Sequence, residues 1–188
     1  MKLHLLFFLF IFSVVNSFAQ DKLPALDKSP LDISYFPANY PISKMSGSIT
    51  SPLTARIIYS RPSMNGRKIF GGLVEYGKVW RLGANESTEI EFFRDVKIGK
   101  TKIKKGRYTM FAVPGDTKWT FALNKDLNTW GSFTYDSKKD LLRWDVVPET
   151  VTDAVEALSM YFDGSSSPSF SLNIVWENTK VSIPFSTN

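Results

Sequence analysis

From Ala55 onward the chain alternates apolar and polar residues with a period of two. Ile90 and Phe92 alternate with Glu89 and Glu91, Tyr108, Met110 and Ala112 with Arg107 and Thr109, and Trp119, Phe121 and Leu123 with Thr120 and Asn124. The same spacing recurs in Leu142, Trp144 and Val146, in Leu158, Met160 and Phe162, in Phe170 through Trp176, and in Val181, Ile183 and Phe185. Successive side chains of a strand point to opposite faces, so each run describes a strand with one face buried. Turn-forming residues separate them: Gly99-Lys100, Lys105-Gly106, Pro114-Gly115-Asp116, Gly164 to Pro168 and Asn178-Thr179. Eight or nine short strands predict an all-β fold, an antiparallel β-sandwich of jelly-roll or immunoglobulin-like type, with a barrel as the alternative closure. Helical turns fit only around Lys125 to Trp130 and Thr152 to Ala157. No internal repeat or second domain interrupts residues 46–188, which read as one domain.

The residues ahead of the strands divide in two. Residues 1–19 have the layout of a signal peptide: Lys2, an apolar run from Leu5 to Val15, and a small-x-small cleavage site at Ser17-Phe18-Ala19. That run is shorter than the ~20 residues a membrane-spanning helix needs, and no later segment is comparably apolar. Cleavage near Ala19 predicts export, to the periplasm or beyond. Residues 20–45 hold Pro24, Pro30, Pro37 and Pro41 together with Tyr35, Phe36 and Tyr40. Linkers are poor in aromatics, so this segment is expected to be an extended arm, with residues 29–45 packed on the domain and little regular structure.

Composition narrows the chemistry. The chain has no cysteine, and its one histidine, His4, lies in the expected signal peptide. Disulfides, thiol nucleophiles, serine–histidine triads and zinc, copper or iron sites built on His or Cys are thereby excluded from the mature protein. Calcium needs only oxygen ligands, but no D-x-[DN]-x-[DN]-G loop occurs and Asp136 with Asp140 does not make one, so neither a metal nor any other cofactor is expected. The net charge of +5 falls by one with Lys2, a balance too mild to imply nucleic acid.

The segment Tyr59 to Glu89 breaks the pattern, with five glycines, many charged residues and no sustained period. Long irregular segments within a domain cover the core or carry function. Tyr59-Ser60-Arg61-Pro62, Gly66-Arg67-Lys68-Ile69-Phe70-Gly71, Gly77-Lys78-Val79-Trp80-Arg81 and Gly83-Ala84-Asn85-Glu86 resemble the signature of an exported bacterial family, domain of unknown function twenty-nine eleven. Gly106-Arg107-Tyr108, Pro114-Gly115, Trp119, Asn124 to Gly131 and Trp176-Glu177-Asn178 extend the resemblance over nearly the whole mature chain. It implies a secreted β protein and supplies no activity.

Within that segment Arg61, Arg67, Lys68, Lys78 and Arg81 bring five cations together. No G-x-x-x-x-G-K-[ST] is present, so a nucleotide loop is excluded, and bidentate recognition of carboxylate, sulfate or phosphate by Arg is the remaining anion chemistry. Internal pairing of Arg81 with Glu86 is the structural alternative. Trp80 and Trp130 lie outside the strand pattern and are expected to line a cleft, whereas Trp119, Trp144 and Trp176 are expected in the core. Candidate ligand-facing residues are Arg61, Lys68, Trp80, Arg81, Asn85, Glu86 and Trp130. Glu89 and Glu91 share a strand face about 7 Å apart, a spacing that overlaps the glycosidase range but also suits any solvated strand. Lys97 to Arg107 carries six cations and no acid, which suits a solvated hairpin or contact with a polyanionic envelope surface. The run lacks the interleaved aromatics of single-strand nucleic-acid binding. Three functions follow: a non-catalytic binding module for an anionic or saccharide ligand, a carboxylate-based glycan hydrolase, and an envelope accessory protein without a pocket.

Overall fold

The structure, a computed structural model, describes residues 23–166 and 168–187, so the expected signal peptide lies outside the described residues. Ten strands are present among them: β1 (Leu31–Phe36), β2 (Ala55–Ser60), β3 (Glu89–Phe92), β4 (Val96–Ile98), β5 (Thr101–Ile103), β6 (Gly106–Val113), β7 (Trp119–Asn124), β8 (Asp140–Val146), β9 (Glu149–Ser166) and β10 (Ser169–Thr187). They form two antiparallel sheets, ordered β1-β2-β3-β6-β7-β8 and β5-β4-β10-β9, that make a sandwich and not a barrel. Six of the eight pairings join strands adjacent in sequence, a meander in place of jelly-roll or immunoglobulin interleaving.

The period-two residues fall where the alternation puts them. Ile57 opposes Ile90, Met110 opposes Leu123 and Phe121 opposes Trp144 on the inner face of the larger sheet. Leu172 opposes Phe162 and Ile174 opposes Met160 on the smaller one. These side chains are buried except Trp144, which lies half-buried on the edge strand β8. Asn178-Thr179 proves to be a bulged stretch inside the continuous strand β10 and not a turn.

Two expectations about regular structure fail. Thr152 to Ala157 belongs to β9 and Lys125 to Trp130 is irregular, while helix occurs at α1 (Tyr40–Met45) and as a short 3-10 turn at Ser137–Lys139. The arm is more regular than its prolines suggest: β1 pairs with β2 over six residues from Leu31↔Ser60 to Phe36↔Ala55. Its alternation is inverted, because Asp32 and Ser34 share the inward side with Phe36 while Leu31 and Ile33 point to solvent, 59% and 43% exposed. Polar partners explain the inversion. Asp32 accepts from Arg61 Nη1 at 3.0 Å and Ser34 Oγ accepts the Phe162 N–H at 3.3 Å, so β1 is stitched to β9 of the other sheet by hydrogen bonds. Phe36 is the apolar anchor, stacked on Phe170 with centroids 4.3 Å apart.

The irregular segment closes one end of the sandwich. Phe70 and Trp80 insert between Trp119 of one sheet and Trp176 of the other, with ring centroids 4.7–6.2 Å apart. All four rings are buried. Trp80, expected in a cleft, is therefore first a core residue, and its indole N–H donates to Gly83 O at 3.1 Å.

Candidate functional site

Hydrogen bonds hold the irregular segment in place. Residues 61–64 run beside β9 through Leu158 N–H to Pro62 O (3.0 Å) and Met64 N–H to Glu156 O (2.8 Å). A turn with Asn65 and Gly66 at positive φ follows, and Arg67 folds back to donate to Met64 O and Ser63 O at 2.8 and 2.7 Å. Beyond Lys68, the backbone N–H groups of Ile69 and Phe70 point at the Glu177 carboxylate at 3.2 and 3.3 Å. Gly71 allows the close pass that follows, because a Cβ there would lie 2.8 Å from the Tyr76 ring. Trp80 then pairs with Ala112 of β6 through both of its backbone groups, at 2.7 and 2.9 Å.

Residues 81–84 are fastened on three sides. Thr88 N–H reaches Arg81 O (3.1 Å), Thr88 Oγ1 donates to Leu82 O (2.7 Å), and Ser60 Oγ donates to Ala84 O while accepting the Ala84 N–H. Leu82, fully buried, sits in the left-handed region at φ 57°. A non-glycine residue held there by its surroundings costs about 1–3 kcal/mol, and such conformations cluster at functional sites. Arg81 precedes it in the chain.

Arg81 lines a cavity of about 360 Å³ together with Arg67, Glu75 and Lys78, the indoles of Trp80 and Trp176 forming part of the wall. Its Nε is buried without a hydrogen-bond partner, and neither Arg81 nor Lys78 forms an ion pair among the described residues. Burial lowers the Arg81 guanidinium below its ordinary pKa because no carboxylate offsets the lost hydration. The expected Arg81–Glu86 pair is not formed. Glu86 lines a separate cavity of about 240 Å³ beside β1 and β2.

The other sequence-derived candidates are dispersed. Arg61 spends its guanidinium on Asp32, on Ser159 Oγ (2.9 Å) and on Leu158 O (3.1 Å), which makes it a tie between β1 and β9. Close to that tie, burial raises the pKa of Tyr59, whose oxygen accepts the Met160 N–H at 2.9 Å. Lys68 is exposed and lines neither of these cavities, nor does Asn85. Trp130 projects from the loop facing Glu86. The structure thus unites Trp80 and Arg81 with Arg67, Lys78 and Glu75, which the sequence candidates omit. Arg67 and Lys78 do belong to the five-cation cluster of the sequence, whereas Glu75 carries no signal beyond its place in the segment.

Two other expectations change. Glu89 and Glu91 do share the outer sheet face, but Arg107 pairs with the first at 3.4 Å and Arg56 with the second at 2.7 Å. They form a charged ladder with Arg56 and Arg107 across β2, β3 and β6. In the basic hairpin, Asp95 binds Lys102 and Lys104 at 3.0 and 3.4 Å and accepts the Lys105 N–H at 2.9 Å. These bonds, the backbone one foremost, hold the Asp95 carboxyl at about 2. Three of the hairpin's six cations, Lys102, Lys104 and Arg107, therefore have an acidic partner.

Fold and cavity together define an all-β sandwich whose irregular covering segment brings Arg67, Lys78 and Arg81 together with Glu75 around one cavity. The chain belongs to the family described as Protein of unknown function (DUF2911), whose match runs over residues 41–185. No curated protein and no solved structure matches it.

Proposed function

We propose that the protein is a binding module for a small anionic ligand, a carboxylate, sulfate or phosphate ester, held in the Arg81 cavity. The observation that supports this most is the Arg81 guanidinium itself, partly desolvated, with a buried Nε that has no hydrogen-bond partner and no ion pair among the described residues. A cation buried without compensation lowers stability, and residues of that kind are retained where a ligand supplies the missing charge. Arg81 offers paired donors to planar anions, Lys78 adds a mobile charge, and the indoles of Trp80 and Trp176 supply an apolar wall. Glu75 at the same cavity selects against ligands of high charge density and favours one bearing hydroxyls or an ammonium group beside its anion.

Thermal-shift measurements with phosphate, sulfate, citrate and glucuronate test the reading. At least one anion should raise Tm in the unmodified protein. Arg81→Ala should leave the ligand-free Tm unchanged or slightly higher and abolish that rise. A large loss of stability in Arg81→Ala, or protection that survives it, would overturn the assignment.

A further inference from the structure

A second site stands apart from the Arg81 cavity, where the loop after β7 meets the segment before β3. Ser87 N–H donates to Thr129 O at 3.0 Å and Gly131 N–H to Asn85 O at 2.9 Å, one on either side of the Glu86↔Trp130 bridge. That pattern makes Glu86 and Trp130 a non-hydrogen-bonded antiparallel pair, the kind with Cα atoms about 4.5 Å apart and side chains adjacent on one face. The indole is 60% exposed and the Glu86 carboxylate has no partner among the described residues.

The loop that shows this ring to water is tightly held. Ser87 Oγ donates to Gly131 O at 2.5 Å, Asn128 N–H to Glu89 at 2.7 Å, and Ser132 Oγ to Val79 O at 3.0 Å. Gly131 has φ 66°, and a Cβ on it would lie 2.6 Å from the Phe133 ring. A solvent-facing indole on a held backbone exposes an apolar plane with only two side-chain torsions to order on binding. Beside Glu86, the cavity of about 240 Å³ combines Leu31 and Ile58 with Asn128 and Thr129.

We propose that Trp130 and Glu86 form a recognition platform for a neutral hexose unit of a glycan. A pyranose ring has an apolar face of C–H groups that covers an indole, and hydroxyls at its rim that donate to a carboxylate, which only accepts. Glu86 and the nearby Glu89 disfavour uronic or sulfated sugars here, in contrast to the Arg81 cavity. An alkylammonium would also satisfy an indole beside a carboxylate. The single ring in place of an aromatic cage and the protein's net charge of +5 favour the sugar.

The full chain titrated with maltohexaose, laminarihexaose, cellohexaose and chitohexaose, read by calorimetry and tryptophan fluorescence, decides the matter. At least one should bind in the millimolar range or tighter. Trp130→Ala should weaken it at least tenfold, Trp130→Phe less, and Glu86→Gln severalfold, all with unchanged Tm because both side chains are exposed. Arg81→Ala should bind the sugar normally, which separates this site from the anion cavity. Four outcomes would overturn the proposal: no binding by any of the four sugars, binding indifferent to Trp130→Ala, displacement of the sugar by tetramethylammonium, or a dimer that Trp130→Ala dissociates, which would make the indole a contact between copies.

Discussion

Removing the Glu177 carboxylate should loosen the cover of the anion cavity more than any surface mutation of comparable size. The carboxylate accepts the N–H groups of Ile69 and Phe70, two residues whose side chains are buried. Glu177→Ala leaves both N–H groups unpaired, and at about 1–3 kcal/mol for each the long bonds here suggest a loss of about 2–4 kcal/mol. Glu177 also sits at a β10 bulge with φ 53°. Glycine relieves the strain of that conformation, so Glu177→Gly should be more stable than Glu177→Ala by about 1 kcal/mol. Glu177→Gln keeps one acceptor oxygen and should lose least. Urea unfolding of the three variants, with m-values checked for constancy, gives the ordering Gln, Gly, Ala from mildest to most severe. An alanine variant within about 0.5 kcal/mol of the parent, the range of an ordinary surface substitution, would refute the claim that this side chain clamps residues 69 and 70.

Two further perturbations test the arm and the hairpin. Phe36→Ala removes a buried ring stacked on Phe170 and should cost about 3–5 kcal/mol, or roughly 10 °C in Tm; a loss below about 1 kcal/mol would show that β1 is not anchored there. Asp95, held at about 2 against the ordinary 3.8, stabilises the hairpin fully above pH 4. Its contribution should fade as pH drops from about 4 through 2 and be missing throughout in Asp95→Asn, and a carboxyl NMR titration with its midpoint near 4 would contradict the geometry.

Where burial follows alternation, the sequence announces the fold. Ile57, Ile90 and Ile183 are assigned to inner faces by the alternation alone, because the residues on either side of each are more exposed. The strand β1 breaks that logic. Leu31 and Ile33 are apolar yet exposed, and Asp32 and Ser34 turn inward to partners at positions 61 and 162 that no local pattern reveals. Arg81 and Glu86 illustrate a different limit. They lie five residues apart, but Leu82 and Asn85 between them both adopt positive φ, which redirects the chain so that the two side chains face separate cavities. Nothing in the residue type marks Leu82 for that conformation. Trp80 lines the cavity as its irregular segment suggests, but its depth in the core is not legible locally, since its contacts with Trp119 and Trp176 join parts of the chain far apart in sequence.

The way β4 is held sets an order of assembly. Among the described residues its one strand partner besides β5 is the far end of β10, through Lys97↔Ser186 and Val96↔Thr187, positions 89 and 91 residues apart along the chain. The larger sheet and the β9–β10 ribbon each assemble mainly from neighbouring strands, whereas this junction must wait for a long loop to close. Synthesis therefore leaves the basic hairpin, complete at Arg107, without its place in a sheet until about eighty further residues have been added. During that interval its lysines keep an exposed edge soluble, a duty that precedes any encounter with a partner.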